Sequence, residues 1–301
     1  MIKLGTLIDV ERPVSDAIAQ TQRIKDAGYD SAWANQIFGA DALTLLAVVG
    51  SHVSEIELGT AVVPIHPRHP QMLAQQALTV QSATADRLSL GIGLSHQMVV
   101  EGLWGFSYDR PASYMAEYLE ALMPMLRGEV AMLDGELLKS ITVGPLDIPS
   151  TEPPSVLVAA LAPRMLNLAG SLTDGTVTWM TGTSTISSHI APKITEAAQA
   201  AGRTAPRIVV SLPVCVTSDP DRARDDIDQA FSIYPTLPSY AAMLEIEGAQ
   251  RPADIALVGS REQVLDGIGR LEEAGGTELV AALSGNFEER EETFEFLGSL
   301  G

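Results

Sequence analysis

Short runs of β-branched and aliphatic residues alternate with longer segments of helical periodicity along almost the whole chain. Such alternation favours an α/β fold with a parallel sheet. Eight predicted strands, each followed by a predicted helix, begin near residues 2, 31, 58, 88, 155, 175, 208 and 278. A (β/α)8 TIM barrel requires eight such units, so we predict this barrel. An open, doubly wound sheet is the alternative, because periodicity does not show closure.

One segment interrupts the alternation after the fourth predicted strand. Residues 128–154 contain VAMLDGELLKSITV, which predicts a β-hairpin around Asp134 and Gly135 and then a Pro-rich connection. We interpret this segment as an insertion, and as a structural hairpin rather than a border of an active site. The length allows one large core or two modest ones, and we expect a single barrel domain over residues 1–301.

The charge and cysteine content limit the classes of partner. A formal net charge of −19 argues against binding to nucleic acid or to anionic membranes, which both require a basic surface. No apolar run approaches the length of a membrane span. The one cysteine, Cys215, lies in LPVCVT, where a buried strand thiol is the simple interpretation. We expect a cytoplasmic protein that acts on a small organic molecule.

The loops after parallel strands carry the chemistry of most β/α proteins, because neighbouring strands converge at that end. The fourth predicted strand opens into Ser95, His96 and Gln97, so His96 is a candidate proton donor there. The alternative is a loop histidine without a catalytic role. Asn35 and Gln36 follow the second predicted strand, where they can bind a polar edge of a cofactor but cannot act as acids or bases.

Other catalytic motifs are weak or absent. The glycines in Gly91-Ile-Gly93 lack the third glycine of a dinucleotide fingerprint, and neither a phosphate loop nor G-x-S-x-G occurs. His66, Arg68 and His69 lie close together without an acidic or cysteine partner at ligand spacing. We interpret them as a solvated loop and predict no metal site.

Several longer segments resemble the bacterial luciferase-like superfamily. They are LGTAVVPIHPRHPQMLAQQALTVQSATADRLSLGIG, FSYDRPASYMAEYLEALMPML, PSVLVAALAPRMLNLAGSLTDGTVTWMTG and LVGSREQVLDGIGRLEEAGGTELV, which together span nearly the whole chain. The segments GLSHQMVVEGLWG and DGTVTWMTG look most like the F420-dependent oxidoreductase branch. The resemblance implies a (β/α)8 barrel with an insertion after strand four, and a homodimer formed through the second and third helices.

The resemblance also implies a cofactor and its site. Coenzyme F420 would bind at the carboxyl ends of the strands and pass a hydride from C5 to an electrophilic substrate. Family members often carry a non-proline cis peptide behind the cofactor ring, which maps here within Thr60, Ala61, Val62 and Val63. The backbone of the loop after the fifth predicted strand would hold the cofactor phosphate, at Ala159, Ala160, Leu161 and Ala162. Thr181 and Gly182, on the loop after the sixth predicted strand, would contribute to the same site.

The chain departs from this family pattern in one respect. Several deazaflavin enzymes of the superfamily place an Asp and a His where this chain has Asn35 and Gln36. We therefore assign proton donation to His96. Two alternatives stay open, an FMN-dependent monooxygenase that uses externally reduced flavin and a non-catalytic flavin-binding barrel. The acidic surface also opposes the phosphate and polyglutamate tail of F420, which Arg68 or Arg164 would have to offset unless the tail extends into solvent.

Overall fold

Eight parallel strands close into a barrel in the computed structural model, which describes residues 2–149 and 152–301. They are β1 Lys3–Leu7, β2 Ser31–Ala34, β3 Glu57–Thr60, β4 Leu88–Gly93, β5 Ser155–Val158, β6 Gly175–Trp179, β7 Arg207–Val216 and β8 Glu278–Leu283. Each strand pairs with the next, and β8 pairs with β1 in parallel register. This closure confirms the predicted TIM barrel and excludes the open sheet.

Helices surround the barrel. The α-helices are Val14–Asp26, Ala42–His52, Pro70–Ala83, Gln97–Val100, Pro111–Leu126, Pro163–Leu172, Thr183–Thr185, Ala191–Ala200, Pro220–Ala230, Pro238–Glu247, Arg261–Glu273 and Phe287–Gly298, with a π-helical turn Ile186–Ile190 and 3₁₀ turns Tyr234–Thr236 and Pro252–Asp254. Local sequence sets several helix starts. Asp41 accepts a hydrogen bond from the Thr44 amide, and Ser260 forms a reciprocal capping box with Gln263. No helix of the described residues is long and apolar enough to cross a membrane.

Two excursions leave the alternating pattern. The first contains the predicted hairpin, formed by strands Met132–Asp134 and Lys139–Ile141. The Glu117 carboxylate accepts hydrogen bonds from the amides of residues 136–138 at 2.8–3.2 Å and so fixes the turn. Positions 150 and 151 of the predicted insertion, like position 1, lie outside the described residues. The second excursion follows β7 and ends in a short strand, Leu257–Gly259, which pairs with β7 and was not predicted.

An ion-pair cluster closes the amino-terminal end of the barrel lumen. The Arg207 guanidinium lies 2.7 Å from Glu57 Oε1 and 2.9 Å from Glu278 Oε2, and it donates to Ser89 Oγ at 2.8 Å. The Glu278 side chain is only 1% exposed. The first residue of β7, Arg207, is therefore shared between the carboxylates that begin β3 and β8.

The Trp33 ring fills the lumen above this cluster. It is fully buried, and its Nε1 donates to Glu278 Oε1 at 3.0 Å. A Cβ on Gly59 would overlap the ring, and a Cβ on Gly5 would lie 3.0 Å from the indole nitrogen. These two glycines make room for the tryptophan. Because the lower lumen is filled, a small molecule can enter the barrel only at its carboxyl-terminal mouth.

Two neighbouring helices carry no charged side chain. Ala42–His52 and Pro70–Ala83 contain no Asp, Glu, Lys or Arg, although the chain as a whole has 57 of these residues (38 acidic and 19 basic). Met72 on the second helix is 48% exposed. The outer surface of this helix pair is therefore neutral, unlike that of Arg261–Glu273 or Phe287–Gly298.

Candidate functional site

Small side chains form the floor of the barrel mouth, the surface at the carboxyl-terminal ends of the strands. Ala61 and Val62 follow β3 and are partly buried against the cluster that contains Trp33. A Cβ on Gly93, the last residue of β4, would lie 2.7 Å from Val62 Cγ2 and 3.3 Å from the Cβ of Ala159. The three strand ends are therefore in close contact. Together they give a shallow apolar surface that suits one face of a planar ring.

The peptide bond between Ala61 and Val62 is cis, within the range predicted for such a bond. The four predicted floor residues differ in exposure. Thr60 and Val63 are fully buried, and the Thr60 hydroxyl donates to the Gly91 carbonyl at 2.7 Å and accepts from the Gly91 amide at 2.8 Å. Of these four residues, therefore, only Ala61 and Val62 have surface that a ligand can contact.

The loop after β4 holds Ser95, His96 and Gln97 at the edge of this floor. Ser95 has a φ of +61°, which is uncommon for a residue other than glycine and recurs at functional sites. The Tyr108 hydroxyl donates to the Ser95 carbonyl at 3.1 Å and holds the loop. Burial lowers the pKa of His96, so the imidazole is neutral at pH 7. Gln97 is exposed, and its side-chain amide donates to Glu101.

An aromatic wall, which we define as Trp179, Phe231, Tyr234 and Tyr240, borders the mouth and adjoins the loop after β4. Trp179 ends β6 and packs edge-on against Phe231 and Tyr234, with ring centroids 5.3 and 5.9 Å apart. Tyr240 continues the wall to His96, at a centroid distance of 5.8 Å. Neither Trp179 nor Tyr240 was among the residues predicted from the sequence to line the site. Helical periodicity does not show which distant element a tyrosine contacts.

The two polar residues after β2 have different environments. Asn35 is half-buried at the mouth. The Gln36 side-chain carbonyl instead accepts from the Ala42 amide at 3.2 Å and from Arg68 Nη2 at 3.1 Å. Arg68 also pairs with Asp41 at 2.6 Å and is only 11% exposed. The acceptor of Gln36 and the charge of Arg68 are therefore committed to protein contacts, which leaves the Nε2 donor of Gln36 and the side chain of Asn35 available to a ligand.

The predicted phosphate loop after β5 keeps free backbone donors. The Ala159 amide donates to Ile92 of β4, and Ala160 is buried, whereas Ala162 is exposed at the start of Pro163–Leu172. No side chain caps this helix. The first-turn amides therefore remain available to an anion.

Basic side chains surround the same loop. The Leu161 carbonyl accepts a hydrogen bond from His189 Nε2 at 2.7 Å, and Lys193 Nζ lies 3.2 Å from His189 Nδ1. Arg164 is exposed and donates to Ser113 Oγ. In a chain of net charge −19, Arg164 and Lys193 give this loop a local positive field.

The loop after β6 differs from the prediction. Thr181 is fully buried, and its hydroxyl donates to the Trp179 carbonyl. The Glu247 carboxylate accepts from the amides of Ser184 and Thr185 at 3.0 and 2.7 Å. A Cβ on Gly182 would overlap that carboxylate. A side-chain anion thus already occupies the helix start predicted to help bind phosphate, so the loop after β5 is the better candidate.

The interpretation of His66, Arg68 and His69 as a solvated loop is wrong for the first two. His66 is buried, with its ring stacked on Tyr114 at 4.8 Å and on Tyr108 at 5.6 Å. His69 is exposed and accepts from the Gln71 amide as a helix cap. No group of three or more potential metal ligands occurs in the described part of the chain.

Comparisons with known proteins show to which family this chain belongs. The model of the luciferase-like monooxygenase family matches residues 2–278. A protein of Mycobacterium tuberculosis (strain ATCC 25618 / H37Rv), provisionally named a coenzyme F420-dependent oxidoreductase, is 32% identical over 170 residues, which cover 50% of this chain and 47% of that protein. The chain thus spans about half the length of this relative.

Two solved structures share the fold over nearly the whole chain. An F420-dependent secondary alcohol dehydrogenase, solved with an F420-acetone adduct, has a TM-score of 0.83 at 17% identity and covers 99% of both chains. The FMN-bound oxygenating constituent of 3,6-diketocamphane monooxygenase from Pseudomonas putida has a TM-score of 0.78 at 17% identity and covers 99% of this chain and 97% of that one. Because the family model matches residues 2–278, this chain belongs to the luciferase-like monooxygenase family, as its sequence motifs predicted.

Proposed function

We propose that the chain is an oxidoreductase that transfers a hydride between the deazaflavin coenzyme F420 and a small organic substrate. The observation that carries the proposal is the composition of the mouth. Ala61, Val62 and Ala159 form a small apolar floor, and the neutral groups of Asn35 and His96 lie at its edge. The F420-dependent names of the mycobacterial relative and of the alcohol dehydrogenase favour F420 as the ring bound there.

The residues present fit such a cofactor in size and polarity. The floor would contact one face of the ring, and Asn35 and Ser95 would bind its polar edge. The free amides at the start of Pro163–Leu172 would hold the phosphate. When bound, the reduced cofactor supplies a hydride, and the protein supplies orientation and a proton. We assign the proton to His96, a titratable side chain at the edge of the floor.

Cofactor titration of the purified 301-residue chain tests the proposal. We expect micromolar affinity for F420, followed by cofactor fluorescence. Gly93→Ala should weaken binding by about tenfold or more, because its methyl group forces Val62 or Ala159 towards the ring. Gly269→Ala is the matched control, since a Cβ there meets no other atom within 4 Å. Micromolar binding of FMN without binding of F420 would overturn the proposal.

An FMN-dependent monooxygenase is the second candidate, because an FMN-bound monooxygenase shares the fold over 99% of this chain. The same floor would accept a flavin ring. Flavin reduced by a separate reductase would then consume oxygen in the presence of substrate, whereas F420-linked turnover does not require oxygen. A third possibility, a non-catalytic flavin-binding barrel, is favoured if the chain binds flavin but neither the wild type nor His96→Ala turns over any tested substrate.

We also propose that the chain forms a homodimer through Ala42–His52 and Pro70–Ala83. The neutral outer surface of this helix pair supports the proposal. Two copies that each carry a net charge of −19 repel one another least across an uncharged surface.

A further inference from the structure

Tyr240 lies beside His96 at the edge of the floor, although it belongs to a distant part of the chain. It belongs to Pro238–Glu247, in the excursion after β7, whereas His96 follows β4. The two rings are tilted by 59° with centroids 5.8 Å apart. Tyr234 packs edge-on behind Tyr240 at 4.9 Å and is itself packed against Trp179. The position of the Tyr240 ring is therefore fixed by its neighbours rather than by a bound molecule.

The hydrogen-bonding groups of this pair are uncommitted. Nearby tyrosines are tied to the backbone, since Tyr108 donates to the Ser95 carbonyl and Tyr118 donates to the Arg68 carbonyl. Within residues 2–149 and 152–301, neither the Tyr240 hydroxyl nor the His96 imidazole makes a hydrogen bond, and both side chains are only partly buried. Both groups are free to donate to a molecule bound at the mouth.

The charge of the surroundings limits what that molecule can be. Burial lowers the pKa of His96 and raises the pKa of Tyr240, so both side chains are neutral at pH 7. A charged substrate would lose hydration beside the aromatic wall, whose side chains, like His96, carry no charge at pH 7. The site therefore suits an uncharged molecule with an oxygen acceptor and an apolar body.

We infer that Tyr240 and His96 together donate hydrogen bonds to the oxygen of an uncharged ketone or aldehyde, which makes Tyr240 a second catalytic residue. This inference rests on the proposed function. Reduction by hydride forms a C–H bond at the carbonyl carbon and breaks the C=O π bond, while the reduced deazaflavin is oxidised by two electrons. The electron pair moves to the oxygen, which takes a proton from the Tyr240 hydroxyl or from the protonated fraction of His96, and water reprotonates that donor. Donors aimed at developing negative charge stabilise the transition state more than the substrate.

Tyr240→Phe tests the assignment, because it removes the hydroxyl and keeps the ring. With reduced F420 and acetophenone as the probe, we expect kcat/KM to fall about 100-fold while the Kd for F420 is unchanged. Tyr29→Phe is the matched control, because the Tyr29 hydroxyl donates to the Phe294 carbonyl outside the aromatic wall, and it should change kcat/KM by less than about threefold. The carboxylate analogue 4-acetylbenzoate should react about 100-fold more slowly than acetophenone. Wild-type rates in Tyr240→Phe, equal rates with the two probes, or F420 binding without reduction of either probe would overturn the inference.

Imidazole NMR of the cofactor-free chain gives a test that does not depend on turnover. The sequence has five histidines, so loss of one signal in His96→Ala assigns His96. Tyr240→Ala should raise the pKa of His96 towards its ordinary value by exposing the ring, and acetophenone should shift the His96 signal in the wild type but not in Tyr240→Phe. An unchanged His96 titration in Tyr240→Ala would contradict the contact. If the chain fails to bind F420, the proposed function fails, whereas this measurement still decides whether Tyr240 and His96 share a ligand.

Discussion

His96 is the residue on which the proposed chemistry most depends. Burial lowers its pKa, so its protonated fraction grows only as the pH falls below the ordinary histidine value near 6.5. If His96 supplies the proton in substrate reduction, kcat should rise as the pH is lowered from about 7 to about 5. The reverse oxidation should show the opposite slope, because it needs the neutral imidazole.

Steady-state rates across that pH range check the prediction. His96→Ala should lower kcat at pH 7 by about 100-fold and remove the slope. His69→Ala is the control, since His69 is an exposed helix cap away from the floor. A slope that persists in His96→Ala would assign the titrating proton to another group.

Arg207 determines how the charged lower lumen contributes to stability. Replacing it with Met leaves the Glu278 carboxylate buried without a counter-ion and leaves Glu57 paired only with Lys3 at 3.6 Å, so we expect a loss of about 3 kcal/mol in the free energy of unfolding at pH 7. Arg270→Met is the control, because the Arg270–Asp266 pair is exposed and should contribute less than about 0.5 kcal/mol. Urea unfolding measures both values.

The same cluster predicts a pH dependence. Burial opposes the ionisation of Glu57, but the Arg207 charge and the Ser89 hydroxyl outweigh it and lower the pKa of Glu57. A carboxyl whose pKa is lower in the folded state stabilises the fold above its unfolded value near 4.3. That stabilisation is lost as the pH falls through the folded value. The difference between wild type and Arg207→Met should therefore shrink below about pH 4, and a constant difference would exclude this electrostatic origin.

At the scale of elements, the strands were predictable because each forms a short apolar run between turns, and eight runs leave few other topologies. His96 followed from the end of the fourth run, whereas Ala61 and Ala159 were expected only from the resemblance to the luciferase-like superfamily. Contacts between distant elements followed from neither. Whether Gln36 is free depends on Arg68, 32 residues away, and whether the helix start after Gly182 is free depends on Glu247. Periodicity describes the faces of one element and contains no information about such partners.

The neutral helix pair supports a prediction at this scale. Met72→Lys places a charge on the proposed dimer surface, where it would be buried opposite its symmetry mate, so we expect dissociation into monomers of 32.0 kDa. Leu265→Lys makes the same change at a 42% exposed position on a charged helix and should leave the dimer intact. Sedimentation equilibrium distinguishes the two masses. A wild-type chain that sediments as a monomer would contradict the proposed assembly.

At the scale of the whole molecule, the negative charge of the chain is separated from the neutral mouth where we propose that the reaction occurs. The chain carries a net charge of −19, yet the floor of the mouth presents apolar and neutral groups, and the buried charges of the lower lumen are paired. Arg164 and Lys193 are the cations beside the predicted phosphate loop. A long anionic ligand therefore meets local attraction at this loop and repulsion from the rest of the surface.

The attraction at this loop and the repulsion from the acidic surface act over different distances, so salt weakens them to different extents. Added salt screens charges beyond roughly 10 Å at 0.1 M, which affects the distant acidic surface more than direct contacts in the mouth. If the polyglutamate tail of F420 extends into solvent, raising NaCl from about 20 to about 200 mM should tighten F420 binding severalfold. A deazaflavin that lacks the phosphate and tail should bind equally at both concentrations and serves as the control. Isothermal titration measures each Kd. Weaker F420 binding at high salt would instead mean that Arg164 and Lys193 hold the tail, and that the local field outweighs the net charge.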